Sequence, residues 1–498
     1  MRRHFARRSA FADALTRLGT ACAVTLMPAL AHAQLGPEHS PIRTNDYSVD
    51  LHQGAVLGSS RVTGLAGAYV AIAEGVDGNP QNPAAPSVRV PWSFDHFDYD
   101  LGLSFTLPIA LTDGDFFNSE GDDRTQSKDQ NVVFLNAAAD LQFGTWGFGL
   151  TVDLQEYRLD RAAARATDAD DSLRGRFGVA HLMISNAFLD GQLLIGAGVR
   201  TTALSVVDPS RGDRQLFNTT GAGLEAGVLW RPNDEHFRVG AAVHSAVTTR
   251  PDKDAQSVLF EGTAEELWLP NQVTLPWDVN IGVAVQLGPR PFNPRWYDPS
   301  ALLSRMRQAM AAREALRERR RELALSRARS EGRDVGAAAA AQGAELDAQQ
   351  AIDEVRLELE ARRVDRLLRE RVRRMARSYV LISSSVVVSG EAQNAVGLES
   401  FLDREVNRSG EAVVVSPRLG VESEVLPELL KLRAGSYAEP TRFRHGSTRL
   451  HGTFGFELNV LQWSVFGLFH EDTEWRLSGT LDAARGYFGP GVSIGNWH

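Results

Sequence analysis

The chain has 498 residues, 43% of them hydrophobic, and a formal net charge of −9. Its length exceeds one ordinary soluble core, and beyond the N-terminal stretch no run of ~20 apolar residues occurs, which excludes membrane-spanning helices. Basic residues form no concentrated face with interleaved aromatics, so nucleic-acid binding has no support.

The N-terminus opens with Arg2, Arg3, Arg7 and Arg8, continues apolar from Leu18 to Leu30, and reaches Ala31-His32-Ala33. A charged start, a short apolar stretch and a small-x-small site predict a signal peptide over 1–33, cleaved before Gln34. The one cysteine, Cys22, lies inside this leader without a lipobox. The exported chain is therefore expected to carry no disulfide.

Residues 34–91 do not alternate. They hold the small-residue run Gly64-Leu65-Ala66-Gly67-Ala68-Tyr69-Val70-Ala71-Ile72-Ala73 and the turn-forming Asn79-Pro80-Gln81-Asn82-Pro83-Ala84-Ala85. Small residues let backbones approach closely and Asn-Pro pairs set turns, so this segment reads as a hatch or plug within a barrel mouth. An ordinary periplasmic arm is the alternative.

Alternation begins in 92–289. Between Trp92 and Leu107, Phe97, Tyr99, Leu101, Leu103, Phe105 and Leu107 share one parity, while His96, Asp98, Asp100, Gly102, Ser104 and Thr106 share the other. Segments 146–155, 237–244 and 278–287 repeat the pattern; Gly147, Gly149, Gly240 and Gly282 fall on the polar parity. Successive strand side chains point to opposite faces, so each segment has one oily and one wet face. Several segments outrun the ~5–6 residues usual in soluble strands. Aromatics (Trp92, Trp146, Trp230, Trp277, Trp463, Trp497) sit at segment ends, as an interfacial girdle requires.

Residues 290–378 abandon alternation for Ala, Arg, Glu and Leu, strong helix formers. Two helices are predicted, at 300–330 and 344–377, linked through Gly332, Gly336 and Gly343. Glu358–Arg362, Asp365–Arg369 and Glu370–Arg374 have i,i+4 spacing. Ile352, Val355 and Leu359, then Val364, Leu368, Val372 and Met375, form a stripe expected to pack on Leu302, Met306, Met310 and Leu323.

Strand patterning resumes in 379–498, clearest in 450–460 and in a final segment from Tyr487 to Trp497. Pro417 inside a proposed strand suggests a later start or a bulge. Short joins (144–145, 189–191, 231–234, 426–428, 461–462) alternate with long polar ones (108–130, 158–176, 206–216, 249–270, 391–411, 438–446). Tight periplasmic turns and long external loops give this rhythm, and the count implies about fourteen strands. The fold class is all-β: a transmembrane antiparallel barrel with an N-terminal hatch and an inserted periplasmic helical hairpin. The hairpin follows a downward strand (272–288), and reads either as a decoration or as a docking arm for a periplasmic protein.

The run from Gly64 to Ala73, the Asn82-Pro83-Ala84 turn, Leu432-Arg433-Ala434-Gly435-Ser436-Tyr437 and His451-Gly452-Thr453-Phe454-Gly455-Phe456 resemble the FadL-type family of outer-membrane transport proteins, including its PorV-like relatives. The resemblance implies a lumen-filling hatch marked by Gly64, Gly67, Asn82, Pro83 and Ala84. It also implies passive uptake of long-chain fatty acids or other hydrophobic molecules, with lateral release into outer-membrane lipid. A PorV-like adaptor barrel is the alternative. Lumen-side Arg200, Arg238, Arg418 and Arg433 have the chemistry to hold a carboxylate by bidentate hydrogen bonds, or to neutralise Asp98, Asp153, Glu225, Glu422 and Glu457. His96, His244 and His451 fall on the lumen parity without a nucleophile motif, and no metal-ligand spacing or phosphate loop occurs, so neither catalysis nor a cofactor is expected.

Overall fold

The computed structural model describes residues 35–497 apart from 92, 94, 109–114, 120–126, 130–131, 162–171, 210–211, 253–256, 260–265, 297–298, 445 and 463–473. The signal peptide read at 1–33 lies outside the described residues, as do Trp92 and Trp463. Fourteen strands form the wall: β1 (Phe97–Thr106), β2 (Val133–Phe143), β3 (Trp146–Arg161), β4 (Ser172–Phe188), β5 (Leu193–Asp208), β6 (Arg214–Trp230) and β7 (Phe237–His244). They continue as β8 (Asp278–Leu287), β9 (Val380–Ser389), β10 (Val414–Leu426), β11 (Leu430–Glu439), β12 (Arg449–Gln462), β13 (Glu474–Ala484) and β14 (Tyr487–Trp497). Each pairs antiparallel with its neighbour, and β14 returns to β1 through Asp100↔Trp497 to Thr106↔Gly491. A closed ladder leaves no strand edge to satisfy, the condition for crossing a bilayer in strands.

The parity read from the sequence is the parity of the wall. On β3, Phe148, Leu150 and Leu154 stand outward, while Thr151 and Gln155 are buried inside. On β8, Ile281, Val283, Val285 and Leu287 are outward, and Asn280 and Gln286 inward. An apolar belt of this extent around a whole barrel is a lipid-facing surface. Trp146, Trp230 and Trp277 are exposed at strand ends.

Several boundaries differ from the sequence reading. The first strand starts at Phe97, and His96 is exposed beside the Gly144 turn rather than in the lumen. The segment 272–288 is two strands, because Pro276-Trp277 separate Gln272–Leu275 from β8. Leu461-Gln462 belong to β12, where a bulge between Asn459 and Leu461 replaces the expected turn. Pro417 lies within β10 without breaking it. It pairs with Val386 of β9, and the β10–β11 ladder begins only at Arg418, so its missing N–H costs no ladder bond there.

The first wall strand begins and the last ends at one rim, Phe97 opposite Phe143 and Trp497 opposite Asp100, and this rim also carries the tight turns at 144–145, 189–192, 231–236 and 427–429. The helical insertion leaves this rim between β8 and β9, as α2 (Pro299–Ser330) and α3 (Val335–Arg374). Tight turns mark the periplasmic side. The second helix starts nine residues earlier than the glycines suggest. Asp334 Oδ1 accepts from the Gly336 and Ala337 N–H groups, and the following alanine run carries the helix past Gly343. Only Gly332, at φ +66°, breaks the hairpin. The expected stripe packs only in part: Val364, Leu368 and Met375 are half-buried, while Ile352, Val355, Leu359 and Leu323 are exposed. Asp353 takes the inward position and pairs with Arg317 of α2.

Residues 35–57 sit at the opposite, long-loop rim. Ser48–Asp50 lies between Gln272–Leu275 and Ala395–Gly397, parallel to both, in a five-stranded sheet completed by Val247–Thr249 and Arg408–Ser409. This sheet roofs the mouth. Tyr47, Val49, Phe116, Tyr157, Phe217 and Phe401 pack in its core.

Candidate functional site

From Gly58 the chain enters the lumen as the short helix α1 (Ser60–Gly64), whose Ser59 hydroxyl accepts from the Val62 N–H. It then crosses to the tight-turn rim by Pro91, and Leu65 to Ala73 are completely buried. Wall glycines make that crossing possible. A Cβ on Gly420 would lie 2.6 Å from Leu65 O, on Gly240 2.2 Å from Val70 O, on Gly227 2.1 Å from Asn82 Oδ1 and on Gly147 2.2 Å from Pro86 C. Backbone there occupies the space of missing side chains. Within the hatch, Gly67 has φ +71°. Asn82 Nδ2 donates to Val70 O (2.9 Å) and to Val228 O of β6 (3.1 Å), and its Oδ1 accepts from Ala84 N–H, with Pro83 lying against Gly196 and Gly227. The Asn82-Pro83-Ala84 turn thus ties the hatch both to itself and to the wall.

Charge fixes the floor. Arg61 of α1 bridges Glu422 on β10 (2.8 Å) and Glu74 of the hatch (3.0 Å). Arg433 on β11 pairs with Glu422 (2.5 Å) and with Glu457, which Lys431 also contacts. Tyr379 Oη donates to Glu422 (2.8 Å). Arg238 on β7 meets Glu74 (3.0 Å), donates to Asn293 Oδ1, Ile72 O and Phe292 O, and stacks on Phe292. Ions removed from water persist only when paired and hydrogen-bonded, and here both oxygens of Glu74, Glu422 and Glu457 meet a cation.

Above the floor and below the roof lies a chamber of about 220 Å³. Leu51, Leu57, Phe134, Phe177, Val179 and Leu275 supply apolar wall; Gln155, His181, His244, Arg200 and Arg418 supply polar wall. His181 Nδ1 meets Glu225 (2.8 Å) and His244 Nδ1 meets Asp278 (2.7 Å). His52 of the arm also borders the chamber, and burial together with the Arg442 charge lowers its pKa to about 4, so it is neutral at physiological pH.

The wall is weakest beside this chamber. The β6–β7 ladder runs only from Glu225↔His244 to Trp230↔Val239, whereas β5–β6 is paired from Leu193↔Trp230 to Asp208↔Arg214. Past His244 the chain turns inward across Gly221 and Gly223, where Thr249 and Val247 occupy the missing Cβ space. Arg200 of β5 closes the gap, donating to Ser245 O (2.5 Å), Pro276 O (2.9 Å) and Asp278 (3.1 Å).

The four arginines singled out by sequence therefore divide. Arg238 and Arg433 are bound into the floor, Arg200 latches the seam, and Arg418 alone faces the chamber uncommitted. Its one hydrogen bond is a long 3.5 Å contact to Gly67 O, and its Nε has no partner. The expected neutralisation holds for Glu422 and Glu457, but Asp98 pairs with Arg89, Glu225 with His181, and Asp153 accepts from Asn136. Sequence reasoning missed Arg61, Glu74 and Arg89. The available signal was a charge at each end of an otherwise apolar hatch run. His451 lies in the lumen between Glu439 and Asp482, stacked on Tyr437. Among the described residues no group of His, Cys, Asp and Glu has the arrangement to hold a metal ion.

No protein-family model and no curated protein matches the sequence. Among solved structures, the fold is similar to the CymD monoaromatic hydrocarbon channel, at 9% identity and TM-score 0.46, covering 90% of this chain and 99% of that one. It is also similar to a Pseudomonas aeruginosa FadL homologue, at 11% identity and TM-score 0.46, covering 90% of this chain and all of the other.

Proposed function

We propose that the chain is an outer-membrane channel for hydrophobic small molecules, captured at the long-loop face, held in the chamber and released sideways at the β6–β7 seam. It is a passive transporter and not an enzyme. The observation that carries this reading is a hatch-filled lumen that keeps a chamber with an apolar side and a polar side, the latter holding the uncommitted cation Arg418. A water-filled pore serves an apolar solute poorly, whereas a plugged barrel with a side exit spares it the aqueous passage. At about 220 Å³ the chamber is smaller than the roughly 300–1,000 Å³ of drug-sized sites. A small hydrophobic solute fits as it stands. A long-chain fatty acid fits only once the hatch or arm shifts, with its carboxylate on Arg418.

The hatch must therefore move, which a reversible cross-link tests. Ser60 Oγ and Ser493 Oγ of β14 are 2.7 Å apart. Ser60→Cys with Ser493→Cys should trap the hatch under oxidation, abolish uptake of labelled solute into cells or liposomes, and restore it on reduction. Unchanged uptake by the oxidised form would exclude a mobile hatch. Arg418→Leu should weaken a fatty carboxylate about tenfold and leave a neutral hydrocarbon unaffected, since a hydrogen bond to a charged group is worth about 1.5–3 kcal/mol.

A second reading, an adaptor barrel that docks a periplasmic partner, draws on the hairpin, whose Leu316, Ile352, Val355, Leu359 and Leu367 are more than half exposed. Deleting 300–377 should then abolish partner cross-linking while solute uptake persists. Loss of uptake with no change in partners would favour a gating role instead.

A further inference from the structure

A second cavity, of about 600 Å³, opens at the tight-turn rim beneath the hatch. Its walls are the hatch exit from Ser87 to Ser93, the turns at Gly144-Thr145, Asp190-Gly191 and Arg231, and Pro294 to Trp296, where the chain leaves the barrel for α2. Among the described residues none lines both this vestibule and the chamber.

Its charged lining is mostly cationic. Among the described residues Arg89, Arg231, Arg295 and Arg305 border it, against one carboxylate, Asp190, which is already bound to Arg295 at 2.6 Å. Arg89 is held by Asp98 and by Gly144 O and His96 O, a fixed charge in the wall, with the Trp296 ring 4.2 Å from its guanidinium. Arg231 is 7% exposed; its one hydrogen bond runs to Pro294 O at 3.2 Å, and its Nε has no partner. Trp296 Nε1 is likewise buried without an acceptor. Burial, reinforced by the charge of Arg238, pulls the Arg231 pKa down to about 9, the mark of a cation short of counter-charge. An acceptor-rich partner satisfies such donors. Beside them Val90, Pro91, Ala187 (half-buried) and Leu194 offer an apolar surface.

We propose that this vestibule binds an amphiphile by its oxyanion head, a carboxylate or phosphate carried on an apolar chain, with Arg231 and Trp296 Nε1 as the donors. This goes beyond the channel reading and does not depend on it. A head group there replaces a missing acceptor and neutralises a buried charge, while its chain covers the apolar side.

The test is photo-labelling of the intact purified barrel with diazirine hexadecanoate and with the matching neutral alcohol, followed by peptide mapping. The acid should label the vestibule about tenfold more than the alcohol, the discrimination expected of charge-assisted hydrogen bonds. Arg231→Gln should remove that preference. Thr145→Trp, an exposed turn substitution that fills the opening, gives a second variant, and heat-modifiable migration verifies that both fold. Competition by lysophosphatidylglycerol as well as by fatty acid supports the shared oxyanion chemistry. Equal labelling by acid and alcohol, labelling unchanged in both variants, or equally potent competition by inorganic phosphate each overturns the proposal. Label at chamber residues is scored separately, so its absence counts against the channel reading alone.

Discussion

The hatch floor and the helical hairpin are both built on arginine–carboxylate pairs, and the pairs behave in opposite ways. In the floor, Arg61, Arg433, Glu422 and Glu74 are buried and each meets more than one partner. On α3, Glu358–Arg362, Asp365–Arg369 and Glu370–Arg374 form as their spacing predicts, yet the side chains of the first pair are 61% and 69% exposed. Water solvates either partner of a surface pair when the other is removed, so such a pair is worth about 0–1 kcal/mol. In a closed barrel no such substitute exists, and deleting one partner strands a charge. Composition is therefore silent on which arginines hold a structure together; their position relative to water decides it.

The sharpest way to break this comparison is Glu422→Gln. It removes the carboxylate shared by Arg61, Arg433 and Tyr379. A loss of about 3–5 kcal/mol is expected, read as a lower urea midpoint for the folded barrel. A change below 1 kcal/mol would mean that water reaches the floor and the contrast with the hairpin fails.

A smaller effect is expected from Gly240→Val, which asks whether the floor depends on shape as well as charge. The new side chain meets Val70 O and Ala71 Cα, both backbone. Overpacking of this kind costs about 1–3 kcal/mol, and here it should displace the hatch rather than the wall. Heat-modifiable migration should persist while the hatch becomes protease-sensitive. Retained protection would show that the hatch backbone shifts freely.

Much of the wall was legible because strand parity has period two and every inward residue announces itself by type, as Gly147, Thr151 and Gln155 do on β3. The floor was half legible: Arg238 and Arg433 were placed in the lumen, but their partner Glu74 sits in a stretch with no period to read. Of the chamber, Arg200, Arg418 and His244 were placed in the lumen, but its enclosure was not legible. Its roof pairs Ser48–Asp50 with segments more than two hundred residues away, in parallel registers that no local pattern encodes. The hairpin's helices were legible and their interface was not. Its apolar positions admit more than one face, and the Arg317–Asp353 pair selected a face that leaves Ile352 and Val355 exposed.

The smallest expected effect lies on that hairpin and completes the contrast. Glu358→Gln removes a pair at 2.5 Å, shorter than several floor contacts, so distance alone would rank it among the strong interactions. Solvent access ranks it among the weak ones, at about 0.3–0.5 kcal/mol for an i,i+4 pair. The hairpin's helical circular dichroism and its melting should stay within error, and raising the salt concentration should reduce even that difference. A clear loss of helicity would place Glu358 against something that shields it from water. The exposed Leu359 beside it would then belong to an interface that the isolated chain leaves uncovered.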